Sequence, residues 1–171
     1  MGEYQQNRAW SDRFIPEIKS IVGPMLLRVT PDEIDRTQAA DLMVFTAQNV
    51  TIAARVRRPG YFDRYPHQFT IRAKLDNGAE TELSKIVNGW GTWMFYGHSA
   101  PCQTRLAAWM LLDLNAFRAA LIREARNGGR IESGDKPNGD GTHFKWFDVR
   151  SFPKDPPLVI ACGGDEARAA A

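Results

Sequence analysis

Val50-Thr51-Ile52-Ala53-Ala54-Arg55-Val56-Arg57-Arg58-Pro59-Gly60-Tyr61-Phe62-Asp63-Arg64-Tyr65-Pro66-His67-Gln68-Phe69-Thr70-Ile71-Arg72 decides how this chain is read. Its first eight residues alternate. Val50, Ile52, Ala54 and Val56 face one way and Thr51, Ala53, Arg55 and Arg57 the other, which is the period of a β-strand. Phe69-Thr70-Ile71-Arg72-Ala73 reads as a further strand. From Arg55 to Arg72, five arginines meet one acid, Asp63, and aromatic residues lie among them. Guanidinium groups bind phosphate oxygens bidentately, and aromatic rings and arginine planes stack on bases. The whole chain has a formal net charge of only +2, so this positive charge is local. Such a segment fits one face turned towards a polyanion. The competing reading is a solvated strand face, with Tyr61, Phe62 and Tyr65 covering the core.

Composition narrows the field. A chain of 171 residues, 43% hydrophobic and 25% charged, is that of a soluble globular protein with a sizeable core. Cys102 and Cys162 lie far apart without a Cys-x-x-Cys spacing, which fits free thiols in a reducing compartment. The start Met1-Gly2-Glu3-Tyr4-Gln5-Gln6-Asn7 has no apolar signal region, and no apolar run approaches membrane-spanning length. The expectation is a cytoplasmic protein without a membrane. His67, His98 and His143 sit in none of the zinc spacings. His98 follows an apolar strand and could line a pocket, although a capping or solvent role is the commoner fate. Gly139-Asp140-Gly141-Thr142 lacks the lysine and the preceding strand that a phosphate-binding loop needs.

Outward from the opening stretch, residues 1–8 read as a loose polar start. Ser11 is a candidate N-cap for a helix through Leu27, with Phe14, Ile18, Ile21, Val22 and Met25 as its apolar stripe. Leu42-Met43-Val44-Phe45 reads as a buried strand, forming a hairpin with the strand from Val50. Thr81 caps a helix from Glu82 to Gly89. Trp93-Met94-Phe95-Tyr96-Gly97 is a central strand and Leu106 to Leu112 its partner. Asp113 caps a helix from Leu114 to Arg126. Asn127 to Thr142 reads as a Gly, Asn and Asp loop, and Phe144 to Val149 as the last strand. Trp90, Trp93 and Trp109 sit beside strongly apolar residues and read as core. The order implies an α/β sandwich with a mixed sheet. It forms one domain over residues 1–152, followed by a flexible tail over 153–171.

Carboxylates supply the candidate chemistry. Asp41 stands where a polar segment enters the Leu42 strand, beside the strand that carries Arg55. A carboxylate there can hold Mg²⁺ while a phosphate supplies other oxygens. Glu17 lies in the first helix. Glu82 and Lys85 are one helical turn apart and share a face. A metal-binding acid and a lysine beside a phosphate are the parts that hydrolysis requires. Each has an ordinary structural alternative, as a turn residue or a solvated pair.

In this order the features resemble the PD-(D/E)XK nuclease superfamily, over roughly residues 10 to 112. Its core is a helix bearing an acid, a hairpin bearing Asp and then Glu-x-Lys, a second helix and a closing strand. Glu17 matches the helix acid, and Asp41 in Ala40-Asp41-Leu42-Met43-Val44 matches the strand Asp. Ala53-Ala54-Arg55 falls where Glu-x-Lys should stand, so Ala53 replaces an acid and Arg55 the lysine. In the superfamily these groups can migrate to the neighbouring helix, where Glu82 and Lys85 are suitable substitutes. The resemblance implies a restriction-endonuclease-like, three-layer sandwich with a mixed central sheet flanked by helices. It also implies a phosphodiesterase dependent on Mg²⁺ or Mn²⁺ and acting on DNA or RNA, often as a homodimer. Asp41, Glu82 and Glu17 would hold the metal. Asp41, Glu82, Lys85 and Arg55 would be catalytic, and Arg57, Arg58, Tyr61, Arg64 and Arg72 would hold the nucleic acid. Thr81-Glu82-Leu83-Ser84-Lys85-Ile86, Gly89-Trp90-Gly91 and Phe95-Tyr96-Gly97 also resemble uncharacterised bacterial and prophage proteins. The alternatives are an inactive nucleic-acid binder or phage-borne inhibitor on the same fold, and a protein-interaction module.

Overall fold

A computed structural model describes residues 3–29, 42–44, 50–74, 79–128, 131–138 and 141–164. The chain divides into two compact units, Met1–Val50 and Thr51–Ala171, where the sequence suggests one domain over residues 1–152. Among the described residues no helix is long and apolar enough to cross a membrane.

The first unit opens with helix α1, Glu3–Asp12, where the sequence suggests a loose start. An Arg8–Asp12 pair one turn apart spans its exposed face at 3.7 Å. Ser11 does not cap the following helix. Its hydroxyl donates back to Arg8 O at 2.9 Å. Helix α2, Ile15–Val22, starts after Phe14 with Pro16 in its first turn, where a missing N–H costs nothing. Trp10 packs edge-on against the buried Phe14 ring at 5.1 Å. A short 3₁₀ turn, Gly23–Leu26, leads into strand β1, Leu27–Val29, which pairs antiparallel with β2, Leu42–Val44.

The second unit is α/β and holds two sheets. The four-stranded one has the order β3-β5-β6-β9, made by Ile52–Arg57, Trp93–Ser99, Leu106–Asp113 and Val159–Gly164. It is mixed: β3 and β5 run parallel, and the other pairs antiparallel. The three-stranded sheet has the order β4-β8-β7, made by Gln68–Lys74, His143–Asp148 and Ser133–Pro137, all antiparallel. Short helices α3, Tyr61–Arg64, and α4, Glu82–Val87, lie within the β3 to β5 connection, and α5, Leu114–Asn127, follows β6 directly.

This topology corrects the expected hairpin. β2 pairs with β1, and β3 pairs with β5. A parallel pair needs a long crossover. The chain supplies one that contains α3, β4 and α4. The supposed loop 127–142 contains β7, and the stretch read as tail contains β9, an edge partner of β6.

One face of each sheet builds the core. Phe69, Ile71 and Phe147 come from the three-stranded sheet, and Met94, Tyr96, Met110 and Leu112 from the mixed one. Ile86 of α4 and Phe117 of α5 close it. Phe69 stacks on Phe147 at 5.3 Å, and Phe117 meets Phe147 edge-on at 5.1 Å. Rings so arranged add to ordinary area burial. Helix α4 is fixed at both ends. Thr81 Oγ1 accepts from Ser84 N–H at 3.1 Å, and Arg118 of α5 donates to the carbonyls of Ile86 and Gly91 at 3.1 and 3.3 Å. Asp113 caps α5 as the sequence suggests, accepting from Asn115 and Ala116 N–H. Trp90 is 70% exposed rather than core, because it falls just beyond the end of α4.

Candidate functional site

Two registers bring the polar side chains together. Across the parallel pair, Arg55 stands beside Tyr96 and Arg57 beside His98. Across the other sheet, Thr70 stands beside Trp146 and Trp146 beside Gly134, while Arg72 stands beside Phe144 and Phe144 beside Lys136. Alternation puts Phe69, Ile71 and Phe147 on the core side of that sheet and these residues on its other side. The two sheets touch where Arg55 Nη1 donates to Thr70 O at 2.8 Å and where the Tyr96 and Thr70 hydroxyls bond at 3.2 Å.

Around Phe144 gather three guanidinium groups. Arg55, Arg72 and Arg57 lie 5.0, 5.7 and 5.8 Å from its ring centre. Such contacts offset part of the cost of bringing like charges together. Glu82 supplies the counter-charge. Its Oε2 lies 3.3 Å from Arg55 Nη2 and accepts from Arg72 N–H at 3.1 Å. Burial lowers the pKa of Arg55; Glu82 and Tyr96 oppose that shift, and Arg57 and Arg72 add to it. Arg72 Nε is buried without a hydrogen-bond partner among the described residues.

Beside this cluster opens a cavity of about 250 Å³. Arg57 and Lys136 are its cations, Tyr61, Tyr65, Tyr96 and Trp146 its rings, and Gln68, Thr70 and His98 its other polar groups. The cations rest on rings. Arg57 lies 4.3 Å from the Tyr61 ring centre and Lys136 5.2 Å from that of Tyr65. Neither makes an ion pair among the described residues. Trp146 lies against the Gly134 backbone so closely that a β-carbon there would stand 2.7 Å from its Nε1. Glycine at 134 is therefore what lets the indole lie over β7.

His98 is 2% exposed, with both ring nitrogens unpartnered among the described residues. Phe62 and Tyr96 meet it edge-on at 5.2 and 5.4 Å. Burial, and then Arg57, hold its pKa down at about 4, so the imidazole is neutral at ordinary pH.

The residues expected from sequence fall into different places. Arg55 and Glu82 are in contact, and Arg72 joins them. Arg57 and Tyr61 line the cavity. Arg58 and Arg64 are exposed near it in sequence, and Lys85 is exposed on α4. Glu17 lies on α2 in the first unit. Asp41 lies outside the described residues. Glu82 Oε2 is already engaged by Arg55 and Arg72 N–H, and among the described residues no three His, Cys, Asp or Glu side chains gather to hold a metal ion. The expected Mg²⁺ ligand Asp41 is not among these residues.

Sequence reasoning missed Tyr65, Gln68, Thr70, Tyr96, Lys136 and Trp146 as site residues and assigned Tyr65 a structural role. His98 was legible only as a pocket candidate. One signal was present: Tyr96 and His98 alternate on β5 as Arg55 and Arg57 do on β3. Comparison with known proteins gives no match, since no family model, no curated protein and no solved structure aligns significantly with this chain.

Proposed function

We propose that the second unit binds single-stranded nucleic acid at the cavity flanked by Arg57 and Lys136. One observation carries this reading: both cations rest on tyrosine rings rather than on acids. A cation on a ring keeps its charge and its N–H donors for an incoming phosphate. The same rings offer stacking surface to unpaired bases. A cavity of about 250 Å³ lies just under the usual size of a small-ligand pocket. Arg58 and Arg64, exposed beside Arg57 and on α3, extend the positive track. DNA and RNA satisfy this chemistry equally.

Equilibrium binding to labelled single strands across a salt series tests it. Affinity should fall steeply with salt, and Arg57→Ala and Lys136→Ala should each lower the salt slope by about one phosphate contact. Affinity that ignores both salt and these substitutions would refute the reading. A second reading, the metal-dependent phosphodiesterase on a restriction-endonuclease-like fold, has support in the contact between Glu82 and Arg55. It predicts strand cleavage in Mg²⁺ or Mn²⁺ that Asp41→Ala and Glu82→Gln abolish while binding persists. Intact strands with the unmodified protein would leave only the binder.

A further inference from the structure

We infer that the cavity takes one unstacked nucleobase and that His98 reads the edge of that base. This rests on the reading of the second unit as a nucleic-acid binder and adds what enters the cavity. The lining sorts by exposure. Lys136, Tyr61 and Tyr65 are exposed and form the rim, while His98 and Tyr96 are buried and form the floor. The floor is therefore reached only by a group that passes the rings.

The chemistry of the floor selects a base over a phosphate. His98 is buried with neither nitrogen satisfied among the described residues. A neutral imidazole offers one donor and one acceptor. Gln68 also offers both, and the hydrogen-bonded pair of Thr70 and Tyr96 hydroxyls keeps one donor and some acceptor capacity. Phosphate oxygens need donors alone, and the acceptor nitrogen of a neutral imidazole repels them. The edge of a base carries donors and acceptors side by side, which this floor matches. Trp146, held against Gly134, gives a flat wall for the ring of the base. Arg57, half-buried between floor and rim, and Lys136 on the rim are placed for the flanking phosphates, where charge belongs.

The test compares two short labelled strands of equal length and charge, one with bases and one wholly abasic. The base-bearing strand should bind at least about tenfold tighter, and Tyr65→Ala, a rim substitution, should shrink that ratio. In parallel, the ¹⁵N resonances of the His98 imidazole are followed in the unmodified protein. A mononucleotide should shift them, and a ribose phosphate should not. Equal affinity for both strands would overturn the inference and leave the binder reading standing. Shifts caused equally by ribose phosphate would make the cavity a phosphate site and also overturn it. Binding of neither strand would remove both readings together.

Discussion

Arg55 and Arg57 stand two residues apart on the same face of β3 and have opposite surroundings. Arg55 donates to Thr70 O, faces Glu82 and is largely buried. Arg57 lies on Tyr61, shares Phe144 and faces the cavity. The first arginine joins two sheets and a helix. The second keeps its charge available. Identical residues in one strand pattern thus divide into one that joins elements and one that faces the cavity, according to the partner that the crossover brings. Glu82 reaches Arg55 because α4 lies next in the chain after β4, and no acid reaches Arg57 among the described residues.

Substitutions should separate the two. Arg55→Ala should cost the most stability, about 4 kcal/mol, because it removes a largely buried guanidinium that both pairs with Glu82 and donates to Thr70 O. Denaturant unfolding reads that loss, while the fraction still folded should bind single strands almost as before. A comparable loss of affinity would erase the distinction.

Acid should give the next largest effect. His98 takes a proton near pH 4 in the folded protein, whereas an unfolded chain takes it near the ordinary value of about 6.5. Between those values the unfolded chain binds more protons, so lowering the pH favours unfolding. The stability contribution is present above about pH 6.5 and declines towards pH 4, by about 3 kcal/mol in all. Urea midpoints at stepped pH should show this slope, and His98→Asn should flatten it.

Gly134→Ala should follow, at about 2 kcal/mol, since a β-carbon there collides with Trp146. It should weaken strand binding on the Arg57 side and leave the Arg55 pair intact, as a double-mutant cycle with Arg55→Ala would show by additivity. Arg57→Ala should be the mildest for stability, below about 1 kcal/mol, yet lower affinity at low salt about tenfold. A large drop in melting temperature for Arg57→Ala would place it with Arg55.

The sequence makes some of this legible. Alternation identifies β3 and puts Arg55 and Arg57 on one face, and the apolar run Trp93 to Gly97 marks β5. Thr81 and Asp113 mark their helices because capping is local chemistry. What stays hidden is long-range. No local signal says that β3 runs parallel to β5, and Leu42–Val44 is as good a hairpin partner by composition as by distance. β7 is invisible because Ser133-Gly134-Asp135-Lys136-Pro137 has poor strand propensity, and its form comes from pairing with β8. The cavity is likewise assembled from β3, β5, β4, β8, β7 and α3, so only Arg57, Tyr61, Tyr65, Gln68 and Thr70 share one readable segment.

Arg118 has a consequence for how this molecule opens. Helix α4 has six residues, too few to persist unaided. It depends on α5 for the guanidinium that holds its Ile86 carbonyl and the Gly91 carbonyl just beyond it. The two helices should therefore exchange their amide hydrogens in one cooperative step rather than separately. That step also carries Glu82 away from Arg55 and strips the basic face of its acid. A partly opened molecule would then be more cationic around Arg55 and Arg72 than the native one.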